Sequence, residues 1–315
     1  MPRKLSQLTI TQFAMNRALM KFIRKNSNNI LITGAITSLM PAYFLRNVMG
    51  NSTGKGNFSN SKRCCLTISF DCDYSRDVEA IPAVLRLLKT FGIKTSFACV
   101  GYWIEKFPKE HSMIIDYGHE IVNHTYSHPD NDELTPGRKF KNISYGEKKR
   151  EIDKCHKVCA DILNYEPVGC RIPHFKNLFT PDIYKILKEL GYKYSSSTLL
   201  TNTDSCGFPF RTSEGIVEFP LSTCPRHPFT VFDTWHSLNS NKIFYKLIHN
   251  TEQEYLRLFK TLIKIGIENQ AYVNIYIDPY DILKMRDFQS VLAFLQEKEQ
   301  DVWVARYVDI LEKIL

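Results

Sequence analysis

From residue 64 onward, short apolar runs alternate with stretches whose apolar positions recur at three- and four-residue spacing. The runs Leu66–Phe70, Thr95–Val100, His119–Asn123, Val168–Arg171, Lys193–Ser197, Gly215–Pro220, Tyr272–Ile277 and Val302–Val304 read as strands. Between them, 77–91, 108–117, 144–164, 180–190, 241–267 and 286–297 read as helices, and a final helix follows residue 304. An apolar run of strand length followed by a helical period is the signature of β-α units. Units repeated this way pair their strands in parallel, and this many of them favour a barrel over an open sheet. In such a barrel, catalytic groups collect where the strands end.

The first 63 residues follow another pattern. Residues 1–25 read as a basic amphipathic helix with Phe13, Leu19, Met20 and Ile23 among its apolar positions. Residues 26–45 carry no charge, and Ile30–Leu45 is mostly apolar behind Lys21, Arg24 and Lys25. A Gly/Ser/Asn-rich stretch, 50–63, then reads as a linker. The expected organisation is a basic helical extension over 1–49, the linker over 50–63, and a catalytic domain over 64–315. Three readings of the extension stay open: a membrane anchor, a helix packed on the domain or lying at an interface, and a cleaved targeting segment.

Charge sharpens this division. The net charge is +8, yet no Asp or Glu precedes Asp71, and residues 1–70 hold ten Lys and Arg. The remaining 245 residues carry 31 basic against 33 acidic groups, so the catalytic domain is not a nucleic-acid binder and the basic arm suits an anionic surface. Nine cysteines, an odd number with no C-x-x-C pair, read as reduced thiols. The expected location is cytoplasmic, with membrane-surface contact through the N-terminal segment.

Chemistry-bearing residues cluster at three strand ends. Ser69-Phe70-Asp71-Cys72-Asp73 places two carboxylates after an apolar strand, and alternation sends both to one side. Such a pair repels unless one member binds a cation or a proton, although an acidic pair there also serves as a solvated turn or helix cap. His124-Thr125-Tyr126-Ser127-His128 sets two imidazoles four apart, a spacing that lets both reach one cation. Arg171-Ile172-Pro173-His174 ends another short strand, where an arginine pairs with a carboxylate.

Together these phrases resemble the ordered motifs of the NodB-type polysaccharide deacetylases, carbohydrate esterase family 4, in the branch with an Asp-x-Asp first motif. The intervening Gly92–Phe97 and Gly118–His124 phrases resemble the family too, and the similarity covers roughly residues 64–310. The resemblance implies a distorted (β/α)7 barrel of α/β class, a general base at Asp71, and one divalent metal ion, by default zinc, on Asp73, His124 and His128. Arg171 would hold Asp71 ionised and aimed. Pro173, His174 and Trp235 would line the substrate cleft, with Trp235 equally suited to the core. The implied substrate is an N-acetylated amino sugar in a glycan or a lipid-linked saccharide.

One departure stands out. In Ile277-Asp278-Pro279-Tyr280-Asp281, Asp278 occupies the place of the family's catalytic histidine. An aspartate donates a proton only where burial or neighbouring carboxylates raise its pKa; His174 is a substitute acid. Two other readings stay open: an amidase for small linear or cyclic amides, since the same metal site serves such substrates, and a glycan-binding pseudoenzyme, of which Asp278 would be the mark. Glu218 is the best candidate for the family's remaining acidic motif, ahead of Asp204 and Asp233.

Overall fold

A computed structural model describes residues 18, 21–23, 25–26, 29–52, 62–173, 182–234, 252–285 and 288–314. The strands are β1 (Cys64–Cys72), β2 (Ser96–Cys99), β3 (Glu120–Asn123), β4 (Gly169–Cys170), β5 (Tyr194–Ser195), β6 (Phe210–Arg211), β7 (Val217–Glu218), β8 (Tyr272–Ile277) and β9 (Val302–Val304). They form one sheet in the order β6-β7-β5-β4-β3-β2-β1-β8, with β9 paired to the start of β1. Among the described strands, only β6 runs antiparallel to its neighbour. Beyond β7 the chain reaches β8, where Ser222 N donates to Asn274 O at 2.7 Å. The α/β sheet thus curls round until the segment after β7 meets β8.

Strand β1 shows why the sequence curls this way. All nine of its positions are buried. Cys64, Leu66, Ile68, Phe70 and Cys72 enter the main apolar core. The alternate residues Thr67, Ser69 and Asp71 are polar and equally buried, and they face the barrel interior. β8 repeats the pattern: Tyr272, Asn274 and Tyr276 turn inward, and Tyr272 Oη bonds Thr67 Oγ1 at 3.0 Å.

Helices α1 (Ile30–Leu39) and α2 (Pro41–Gly50) precede β1. Around the sheet lie α3 (Ser75–Thr90), α4 (Gly101–Lys106), α5 (Pro108–Asp116), α6 (Tyr145–Leu163), α7 (Ile183–Glu189), α8 (Glu252–Asn269), α9 (Pro279–Lys284), α10 (Phe288–Glu297) and α11 (Tyr307–Ile314). α6 begins with a capping box, Glu147 N donating to Ser144 Oγ and Ser144 N to Glu147 Oε2, and ends at Asn164 with φ 49°. Its stripe of Ile152, Cys155, Val158 and Cys159 is buried. α2 buries Phe44, Leu45, Val48 and Met49 against the domain, stacks Phe44 on Phe229, and pairs Arg46 with Glu268 at 3.0 Å. Most of the 50–63 stretch and the region before residue 18 lie outside the described residues. No disulfide joins the nine cysteines, all of them buried.

Candidate active site

Asp71 ends the inward-facing row of β1, and Asp73 follows on the turn into α3. Asp73 is fixed through its main chain: its carbonyl accepts Trp103 Nε1 at 2.8 Å and an amide hydrogen of Asn131. That leaves the carboxylate to project into the cleft, 22% exposed.

The two histidines come from the loop after β3. This loop is unusual, because Thr125, His128 and Asp130 all adopt positive φ, at 65°, 47° and 135°. A β-branched residue there is strained and persists only where its surroundings dictate it. Three neighbours do so. Asn123 Oδ1 accepts Thr125 N at 2.9 Å, the Glu151 carboxylate of α6 accepts Ser127 N and Oγ at 2.8 Å, and the amides at the start of α4 donate to the Thr125 and Tyr126 carbonyls. Gly101 opens α4 because a Cβ there would lie 3.0 Å from the Tyr126 ring and 3.1 Å from the Cys155 backbone.

The outcome is convergence. His124 Nε2 lies 3.1 Å and His128 Nε2 3.4 Å from Asp73 Oδ1, and one ligand atom from each of the three residues fits within 4.8 Å. His124 is oriented from behind by its Nδ1, 2.7 Å from the Arg171 carbonyl. With Nδ1 as the donor, Nε2 presents a lone pair toward Asp73, the tautomer a metal ligand requires. Burial pulls the His124 imidazole down, but the Asp73 and Asp71 carboxylates outweigh it and hold its pKa above the usual range. A positive charge is therefore favoured where these groups meet, and the donor set fits a divalent cation.

Asp71 is almost fully buried and forms an ion pair with Arg171, while its other oxygen lies 3.9 Å from His124 Nε2. Arg171 is held on every side: Nε donates to Ser196 O at 3.1 Å, and Nη2 donates to Ser69 Oγ at 2.9 Å, to Ser196 Oγ at 3.1 Å and to the Tyr307 hydroxyl. Burial lifts the Asp71 carboxyl above its ordinary value, although Arg171 and His124 pull the other way, which makes it a stronger base.

Asp278 stands at the end of β8, two positions past Tyr276, whose ring lies 5.6 Å from the Arg171 guanidinium. Burial and then the carboxylates of Asp77, Asp281, Asp73 and Asp233 push its pKa well above the aspartate range. Asp77 is itself lifted to about 7, by burial and then by Asp73.

The structure thus brings together Asp71, Asp73, His124, His128 and Arg171, with Asp278 in the same electrostatic neighbourhood. Pro173 is buried directly beyond Arg171. His174 and Trp235 lie outside the described residues. Glu218 is buried, but its Oε1 accepts the amides of Ser197 and Thr198, at 2.7 and 3.0 Å. It shapes the segment that holds Arg171. Asp233 accepts the Tyr276 hydroxyl, and Asp204 is exposed on a loop. Sequence reasoning missed Trp103, Asn131, Glu151 and Tyr307; each acts on a neighbour remote along the chain, so no local pattern marks it.

Residues 59–195 match the family model of polysaccharide deacetylase. A peptidoglycan-N-acetylglucosamine deacetylase of Bacillus cereus is 30% identical over 107 residues, which are 34% of this chain and 36% of that protein. The chain spans little more than a third of the curated relatives it matches. Among solved structures, a Mycobacterium smegmatis chain described as a polysaccharide deacetylase superposes with TM-score 0.67 at 19% identity, covering 82% of this chain and 92% of that one. A family 4 carbohydrate esterase pseudoenzyme of Bacillus anthracis superposes with TM-score 0.51 at 16% identity, covering 80% and 66%.

Proposed function

We propose that this chain, whose residues 59–195 match the polysaccharide deacetylase family, is a metal-dependent hydrolase that removes the N-acetyl group from an amino sugar of a glycan or lipid-linked saccharide. The observation that carries the reading is the meeting of Asp73 Oδ1 with His124 Nε2 and His128 Nε2 beside a buried Asp71–Arg171 pair.

Asp73, His124 and His128 would hold one divalent ion, for which zinc is the default partner of such a set. When bound, the ion supplies Lewis acidity to an amide oxygen and to water. Asp71 stands beside the ligands without belonging to them, and takes the proton of the attacking water as general base. Arg171 keeps Asp71 aimed and ionised by a charge-assisted contact that water cannot screen. Asp278, whose anion is disfavoured by burial and then by four neighbouring carboxylates, is the group placed to donate a proton to the departing amine. The protein then needs no histidine at 278.

The same aspartate favours a second reading, a glycan-binding pseudoenzyme. The test is acetate release from a chitin oligosaccharide by zinc-loaded protein, with metal content measured alongside. Deacetylation by the native chain, lost in His124→Ala together with the metal, supports the hydrolase. Metal content that is the same in both proteins removes the site. No acetate from the native chain, but strong release from Asp278→His with unchanged metal, establishes the pseudoenzyme.

A further inference from the structure

Helix α1, Ile30–Leu39, has the sequence ILITGAITSL and no charged residue. A helix of this composition normally buries its apolar side, as α2 does. In α1 no described side chain is fully buried, and only Ile36 packs partly against the core. Leu31 is 79% exposed and Leu39 77%, while Phe22, Met40 and Tyr43 are about half exposed or more. Five of the seven large apolar side chains exposed among the described residues therefore fall between 22 and 43. They cluster within 22 residues of the chain, and exposed apolar side chains concentrated in this way mark a binding surface.

Charge identifies the partner. Arg17, Lys21, Arg24 and Lys25 lie immediately before α1, and no acidic residue occurs before Asp71. Lys21 and Lys25 are exposed beside Phe22. Cations bordering exposed leucine, phenylalanine, methionine and tyrosine match a bilayer interface, where anionic headgroups lie over hydrocarbon. Geometry sets the mode. The ten-residue α1 is about 15 Å long, half of the roughly 30 Å hydrocarbon core. The chain turns at Met40-Pro41, and no helix among the described residues is long and apolar enough to cross a membrane. The segment fits the interface plane.

We propose that Lys21, Phe22 and Lys25, together with α1 and the start of α2, form a docking surface for an anionic lipid bilayer. α2 joins this surface to the domain through Phe44, Leu45, Val48 and the Arg46–Glu268 pair. This proposal does not depend on the hydrolase reading.

Flotation of the full chain with vesicles of pure phosphatidylcholine, and with equimolar phosphatidylcholine and phosphatidylserine, tests it. The protein floats with the anionic vesicles and is released by high salt. Leu31→Glu combined with Leu39→Glu weakens partition on the order of tenfold or more, with an unchanged circular dichroism spectrum because neither side chain is buried. Three results would overturn the proposal: a native chain that floats with neither vesicle, a double variant that floats like the native chain, and a native dimer that the double variant dissolves without any lipid binding. The last would assign the surface to a second copy.

Discussion

Asp71 and Asp73 sit two residues apart on one side of the chain, and their surroundings assign them different work. Asp73 keeps a 22% exposed carboxylate beside two imidazoles, whereas Asp71, 2% exposed, is clasped by a guanidinium with no exposure at all. Removing one partner of a buried pair leaves an uncompensated charge, at about 3–5 kcal/mol. Arg171→Ala therefore unfolds the chain at lower denaturant and confounds any activity reading. Asp71→Asn is the cleaner change. It removes the countercharge of Arg171 but keeps the shape and an oxygen that still accepts from Nη1, so it destabilises the chain less than Arg171→Ala, leaves metal content as in the native protein, and lowers turnover about 10²- to 10⁴-fold, the usual worth of a positioned base. Turnover within a few-fold of native, at full metal loading, would show that another group takes the proton.

Among the elements, what the chain revealed in advance and what it concealed divide along physical lines. β8 and β9 occupy the residues their apolar runs mark, Tyr272–Ile277 and Val302–Val304. The aspartates and histidines of the site were legible because each motif lies within five residues of one strand end. β4, β5 and β7 shrink to two residues each, and Ser196, just past β5, binds Arg171 and Asn274 through its hydroxyl. α4 escaped notice because six residues give no period, although its amides set the histidine loop. Tyr307 was invisible for a different reason: its hydroxyl bonds Asn274, Ser196 and Ser69 from the final helix.

The junction of α5 and β3 carries a pH dependence of its own. His119 accepts Thr95 N at 3.1 Å through Nδ1, and burial, then Lys94 and Arg306, lower its pKa to about 4. The unfolded chain titrates it near 6.5. A lowered histidine pKa means that the unfolded state binds the proton first, so stability is complete above 6.5 and is lost as pH falls toward 4. Allowing for partial hydration of the ring, His119 costs about 1–2 kcal/mol between pH 7 and pH 5. Urea unfolding at both values checks this. His119→Gln, which cannot titrate, loses less stability over that interval than the native chain; equal losses would place the acid sensitivity elsewhere.

Across the whole domain, the proposed ion bridges elements that the sheet alone connects only through an intermediary. Asp73 follows β1 and the histidines follow β3, with β2 between them in the sheet. An ion on all three ligands would clamp the open rim of the barrel, at the loop that stores positive-φ strain at Thr125 and His128. Such a ligand binds the folded chain alone, so its binding free energy adds to stability by mass action. Free zinc at 100 times its dissociation constant contributes about 2.7 kcal/mol, which raises the melting temperature by roughly 5 °C for a chain of this size. Scanning calorimetry of the zinc-loaded protein, before and after chelation, measures that difference. In His124→Ala the two scans coincide, because one donor is gone and the remaining pair cannot close the rim. The comparison separates a metal clamp from a merely structural cluster. Without an ion, the native protein would melt at one temperature whatever the chelator, and the three side chains would be only a hydrogen-bonded acid–imidazole group.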